Sequence, residues 1–221
     1  MKLFINPHAA SGKKVEAAYT HQILFLKKVW NDDTYGLERV LRLFLCIVQF
    51  IYPLLLIRDI FGRFGATPRK LAVEFYNVIK LLCPFCVLVL GLYRYPFIIA
   101  ILVYLLSETI FHILNLIFLY DIHTASASYT RSILLLFLHY IEVVLDFAAI
   151  YIGFGLLSET LTPVSAVYFS MVANTTVGFG DIHAKGPAGQ LVVISQLIVC
   201  VLFILLFINY FSSKADDEEE E

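Results

Sequence analysis

Four long apolar stretches constrain this chain more than any other feature of its sequence. They cover residues 73–93, 97–120, 132–157 and 189–211. A helix needs roughly 20 apolar residues to cross the roughly 30 Å of hydrocarbon in a bilayer. Only 15% of the residues are charged, whereas about 25% are charged in an average soluble domain. The sequence therefore predicts an all-α membrane protein that crosses the bilayer several times.

A fifth apolar segment, residues 43–57, leaves the topology open. It is short, contains Pro53 and lies between two basic clusters, with seven Lys and Arg in residues 1–42 and four in 58–70. Because positive charge favours the cytoplasmic side, we expect both clusters to stay there, with the segment in the interface or dipping into the bilayer. The alternative is five full spans and an external N-terminus.

Between the last two spans, a short polar stretch reads "TTVGFGD", from Thr175 to Asp181. Residues 163–174 before it predict a helix, because Thr162 can cap its start and Pro163 suits its first turn. About a dozen residues cannot cross a bilayer, and irregular backbone at membrane depth is tolerated only where protein buries it or where it lines a water-filled path. We therefore expect a re-entrant hairpin whose backbone carbonyls face a pore.

The stretch "YFSMVANTTVGFGD" resembles the pore of single-pore and two-pore potassium channels, and "TTVGFGD" resembles their selectivity filter. The resemblance covers roughly residues 131–211 and implies an outer helix, a pore helix, a filter and an inner helix. It implies a potassium-selective channel, with permeant K⁺ in place of any cofactor. The implied filter residues are Thr176, Val177, Gly178, Phe179 and Gly180, with K⁺ bound at the first four, and Thr175 and Asp181 support the filter and its outer mouth. Glycine at 178 and 180 permits the positive φ values that turn successive carbonyls inward.

The sequence departs from the family pattern at three positions. Phe179 replaces the commoner tyrosine, and Val172 stands where many members carry a carboxylate that pairs with the filter aspartate. Asp181 therefore lacks that partner, and we expect other contacts to hold the filter. Cys200 falls on the usual hinge glycine of the inner helix, which favours gating at the filter. By helical spacing and family register, the cavity-facing gate candidates are Val201, Ile204 and Ile208.

Charged residues inside the spans raise the question of a sensor. The span 97–120 contains no Arg or Lys, so conventional voltage gating is not expected. Isolated charges are unfavourable in lipid and should therefore face one another or water. The intramembrane charges are Lys80, Glu108, Glu142 and Asp146, with Glu108 or Asp146 as the candidate partner of Lys80. Such a pair fits a structural role or a gating role. His183, just after the filter, is a candidate sensor of external protons.

These features divide the chain into four regions. They are a cytosolic N-terminal region (1–72) with the interfacial or re-entrant segment, a two-span membrane domain (73–130), the pore domain (131–211) and an acidic cytosolic tail (212–221). Because each chain supplies one filter hairpin, we expect a homotetramer in contact with membrane lipids, in the plasma membrane. No basic patch indicates nucleic-acid binding.

Two other channel functions and one enzyme class are alternatives to a potassium-selective channel. A poorly selective cation channel would share the pore fold, and a non-conducting subunit would act only with another channel. The stretch "FINPHAASGKK" (4–14) resembles the start of lipid kinases, but the nucleotide-binding stretch that such kinases need does not follow. We therefore expect no enzymatic activity.

Overall fold

The computed structural model describes residues 17–31, 35–119, 129–159 and 162–219. Within these ranges the chain is all-α, with eight α-helices and no β-strand apart from an isolated antiparallel bridge between Leu157 and Ala184. The helices are α1 (Ala18–Asn31), α2 (Gly36–Val48), α3 (Pro53–Gly62), α4 (Ala66–Val89), α5 (Pro96–Phe118), α6 (Tyr129–Phe154), α7 (Pro163–Asn174) and α8 (Gly186–Glu219). The lipid-kinase-like stretch at 4–14 lies outside the described residues.

The chain divides into two compact units, one ending at Val78 and one beginning at Ile79, so that the boundary falls within α4. In the first unit, α1 contacts both α2 and α3. Asp59 on α3 accepts a hydrogen bond from the backbone N–H of Ala18 at 2.9 Å. This carboxylate stabilises the start of α1, because helix N-termini carry unsatisfied N–H groups and partial positive charge.

The predicted 43–57 segment is bent in the structure. It includes parts of α2 and α3, and the helical stretches Gly36–Ile51 and Pro53–Gly62 meet at an angle of 69°. Pro53 begins α3, where its fixed φ is favourable and its missing N–H is harmless. By length and composition, the pair fits either a broken span or a re-entrant loop.

The second unit contains the most apolar helices of the chain. Four helices of the described residues are long and apolar enough to cross a membrane, over Ala66–Val89, Pro96–Phe118, Arg131–Phe154 and Gly186–Ile208. They correspond to the four predicted spans. Because one of them, α4, begins in the first unit, only three lie wholly in the second. The backbone of α8 stays helical to Glu219, into the predicted acidic tail. This chain is a membrane protein.

The outer helix α6 is the centre of the second unit. More than half of the most apolar stretch of α6 is buried, and the helix packs against α5, α7 and α8. Its end is fixed by Gly155, whose φ of +61° places it in the left-handed region. The N–H of Gly155 donates to Ile152 and that of Leu156 to Tyr151, which is the Schellman pattern of hydrogen bonds. This stop turns the chain toward the loop that precedes α7.

Candidate functional site

The short helix α7 has the bounds that the sequence predicts. It begins at Pro163, and the Thr162 hydroxyl accepts a hydrogen bond from the backbone N–H of Ser165 at 3.1 Å. Its twelve residues span about 18 Å at 1.5 Å per residue, so α7 cannot cross a bilayer alone. The helix therefore ends within the unit, followed directly by the filter-like turn.

The turn after α7 alternates the sign of its backbone φ angles. Thr176, Gly178 and Gly180 have φ values of +58°, +58° and +81°, whereas Val177 and Phe179 are not among the positive-φ residues. Alternation of the φ sign allows successive peptide groups to face the same side of the chain. For the β-branched Thr176 a positive φ is strained, and such strain clusters at functional sites.

The turn also leaves a row of carbonyl groups unpaired. The N–H groups of Thr176 and Val177 still donate to Ala173 and Val172 of α7. In the described part of the chain, however, no donor bonds to the carbonyl oxygens of residues 176–180. Residues 176–180 are exposed in the single chain, and hydrocarbon offers free carbonyls no water. The carbonyls of this turn are therefore available to an ion or to water.

Aromatic residues hold the outer end of the turn. The Tyr168 hydroxyl donates to Asp181 at 2.9 Å, and the Tyr168 and Phe179 rings stack with centroids 6.4 Å apart. The hydrogen bond to Asp181 and the charge of Asp181 raise the pKa of Tyr168. Val172 cannot provide the carboxylate partner that Asp181 has in many family members. The Tyr168 hydroxyl, one helical turn before Val172, is its partner instead. Tyr168 could have been predicted as this partner, because residues four apart in a helix, such as 168 and 172, lie on the same face.

Backbone hydrogen bonds tie the segment after the filter to the end of α6. Ser158 donates to the carbonyl of His183 at 2.9 Å, and Lys185 donates to that of Leu156 at 2.7 Å. The side chain of His183 is exposed. A Cβ placed on Gly189, in the first turn of α8, would lie 2.5 Å from the Leu156 carbonyl oxygen. The loop after α6 therefore packs closely against residues 183–185 and the start of α8.

A buried polar network, which was not predicted from the sequence, joins the helices α6, α7 and α8. Gln196 of α8 donates from Nε2 to the carbonyl and the hydroxyl of Ser170 on α7, each at 2.9 Å. Its Oε1 accepts a hydrogen bond from the Tyr151 hydroxyl of α6 at 2.8 Å. Ser170 in turn donates to the Val144 carbonyl at 2.7 Å. The signal in the sequence was a glutamine and a serine inside apolar segments, since polar residues there often connect helices.

The inner helix presents an apolar face that its own chain does not cover. All three predicted cavity-facing residues, Val201, Ile204 and Ile208, are exposed in the single chain. On the opposite side, the Cys200 thiol donates to the Asn174 carbonyl at the end of α7. Cys200, which stands at the hinge position of the resembling family, therefore contacts the end of α7.

The intramembrane charges meet between α4, α5 and α6. Lys80 lies 3.3 Å from a carboxylate oxygen of Glu108, as one candidate pairing predicts, and 3.3 Å from one of Glu142. The prediction that named Asp146 as the alternative partner of Lys80 is wrong in this structure, because that place belongs to Glu142. Glu142 also accepts a hydrogen bond from Thr109 at 2.9 Å.

Residues 139–216 match a protein-family model described as ion channel. The matched range begins within α6, includes α7 and the filter turn, and extends along α8. No curated protein and no solved structure matches the chain significantly.

Proposed function

We propose, from the match of residues 139–216 to a protein-family model described as ion channel, that this protein is a potassium-selective channel that conducts K⁺ passively. The channel is a homotetramer in the plasma membrane and is not conventionally voltage-gated. The absence of Arg and Lys from residues 97–120 supports the last point, because a voltage sensor needs several such charges.

The observation that carries the proposal is the row of unpaired carbonyls at residues 176–180. Their alternating φ signs and the preceding half-helix are what a carbonyl-lined filter requires, because dehydrated K⁺ needs oxygens to replace its water. The C-terminal end of α7, which carries partial negative charge, adds a favourable field for a cation at the base of the filter. Thr176, Val177, Gly178 and Phe179 would hold the ions.

The tetramer is supported by the surfaces that a single chain leaves uncovered. Val177 is 56% exposed and Phe179 is 69% exposed, although both belong to a turn within an apolar unit. One chain supplies one strand of the filter, and a carbonyl cage around an ion needs several. Fourfold symmetry brings four such strands to one axis and places the exposed faces of α8 around a common cavity.

The test is the reversal potential of the purified protein in planar bilayers, with K⁺ on one side and Na⁺ on the other. We expect a reversal potential close to the K⁺ equilibrium value. A reversal near zero with open current would instead identify a poorly selective cation channel. Silence of the purified protein, with altered currents when it is expressed beside another channel, would identify a non-conducting subunit.

Two glycine variants separate the filter from general backbone strain. Gly178 and Gly91 have φ values of +58° and +70°, and a Cβ would meet no atom within 4 Å at either position. Replacement by alanine therefore strains both positions similarly. We expect Gly178→Ala to lose K⁺ selectivity and Gly91→Ala, in the turn between α4 and α5, to retain it. Equal selectivity in the two variants would contradict the assignment of the filter.

A further inference from the structure

A buried group of ionisable side chains in the second unit has no part in the proposed filter. It consists of Lys80 on α4, Glu108 on α5, and His139, Glu142 and Asp146 on α6, and we call it the membrane cluster. All five side chains are almost fully buried. Intramembrane ionisable residues are rare and usually functional, so the state of each of these groups matters.

Most charged groups of the membrane cluster form ion pairs or hydrogen bonds with close partners. The ammonium of Lys80 lies between Glu108 and Glu142 and also donates to the Thr109 hydroxyl at 2.6 Å. The second carboxylate oxygen of Glu142 lies 2.8 Å from Nδ1 of His139. A buried ion pair of this kind is sustainable because further hydrogen bonds satisfy both charges.

Asp146 is the exception. It lies four residues after Glu142 on the same helix and is 1% exposed. Among the described residues, neither of its carboxylate oxygens has a hydrogen-bond partner. An isolated ionised carboxylate is very unfavourable in an apolar medium, so a group in this position binds a counter-ion or takes up a proton. Two carboxylates close together also oppose each other's ionisation.

The surroundings of Asp146 favour a proton over a metal cation. A metal needs several ligands, and no group of three or more His, Cys, Asp and Glu side chains in the described ranges is arranged to hold one. Lys80 already supplies positive charge nearby and would repel a second cation. The ionisable groups of the surrounding helices are Lys80 and Cys83 on α4, Glu108 and His112 on α5, and His139 and Glu142 on α6.

We propose that Asp146 is an intramembrane proton-binding site. In the first of its two states, the Asp146 carboxyl is neutral while Lys80 is paired with Glu108 and Glu142. When the proton leaves for water, the new carboxylate competes with Glu142 for Lys80, since the two acids lie one helical turn apart on α6. The site thus has two arrangements that differ by one proton and by the partner of Lys80.

Infrared spectroscopy of the purified protein in D₂O tests the site without reference to conduction. A neutral carboxylic acid has a carbonyl band that an ionised carboxylate lacks. We expect this band in the wild type at pH 7 and its loss in Asp146→Asn, which is nearly isosteric. Asp181→Asn, at an exposed carboxyl, is the matched control and should keep the band. Absence of the band from the wild type, or its persistence in Asp146→Asn, would overturn the proposal.

A pH titration of the same band provides a second test that does not depend on the folding of Asp146→Asn. In the wild type the band should disappear as the pH rises. Glu142→Gln removes a like charge and releases Lys80, so its band should disappear at a lower pH than in the wild type. An unchanged or higher titration midpoint in Glu142→Gln would contradict the exchange of partners.

Discussion

Gln196→Met is the substitution that best tests how α7 is held against α6 and α8. The change keeps the length and flexibility of the side chain but removes the three hydrogen bonds to Ser170 and Tyr151. Each bond contributes about 1 kcal/mol net in soluble proteins and about 0.6 kcal/mol on average between membrane helices. We therefore expect Gln196→Met to lower the free energy of unfolding by about 2–3 kcal/mol.

A double-mutant cycle with Tyr151→Phe isolates one of these bonds. Tyr151→Phe alone should lower the free energy of unfolding by about 1 kcal/mol, because it leaves the buried Gln196 Oε1 without a donor. In the Gln196→Met background the same change should be neutral or stabilising, because the buried Tyr151 hydroxyl has already lost its acceptor. The expected coupling is therefore about 1–2 kcal/mol.

The assay is denaturant unfolding of the purified protein in detergent micelles, followed through helix content. Ser195→Ala is the matched control, since Ser195 is the exposed neighbour of Gln196 and bonds only within its own helix, to Leu191. It should change stability by less than about 0.5 kcal/mol. If the effects of Gln196→Met and Tyr151→Phe add to within about 0.3 kcal/mol, the network does not exist as described and the reasoning is refuted.

Four further predictions concern Gly189, Tyr168 and Asp146. Gly189→Ala should lower the free energy of unfolding by about 1–3 kcal/mol, measured in the same micelles, because its Cβ would lie 2.5 Å from a backbone oxygen; an effect below about 0.5 kcal/mol would contradict this packing. Tyr168→Phe keeps the ring but removes the donor to Asp181, so its K⁺ currents should decay faster in maintained recordings, and equal decay would argue against this support. Because the pKa of Tyr168 is raised, its hydrogen bond to Asp181 should persist past the ordinary tyrosine value of about 10 and be lost only as the pH rises through the raised value. The pH dependence of current decay in the wild type measures this loss. Asp146→Asn should leave the reversal potential unchanged, because Asp146 forms no hydrogen bond to residues 175–181 in the described part of the chain. A shift in selectivity would contradict this.

Local sequence signals were sufficient to predict the start of α7 and the backbone of the turn after it. Thr162 and Pro163 predicted the start of α7, and the structure places its cap and first residue there. Glycine at 178 and 180 predicted positive φ, and both have it. These predictions succeeded because capping, proline geometry and glycine freedom depend on a few neighbouring residues. Thr176, which also has positive φ, was not predicted to, because a β-branched residue adopts it only when the surrounding structure holds it there.

Contacts across helices were harder to predict. Lys80 was expected to pair with Glu108 or Asp146, and the structure pairs it with Glu108 and Glu142. Glu142 and Asp146 lie one turn apart on the same face of α6, so helical spacing alone cannot rank them. Likewise, the sequence shows Gln196 only as a polar residue in an apolar span, and its contact with Ser170 is known only from the packing of α7 and α8.

The sequence by itself determined that this is an all-α membrane protein with a short helix α7 and a glycine-containing turn after it. Those features follow from the length of apolar runs and from backbone preferences, which act over one helix or one turn. Only the tertiary structure decided which hydroxyl bonds to Asp181, which glutamate holds Lys80 and which acid is left alone. Such choices depend on the axial shift and rotation of one helix against another, and a difference of one turn, about 5.4 Å, changes the partner without changing the sequence pattern.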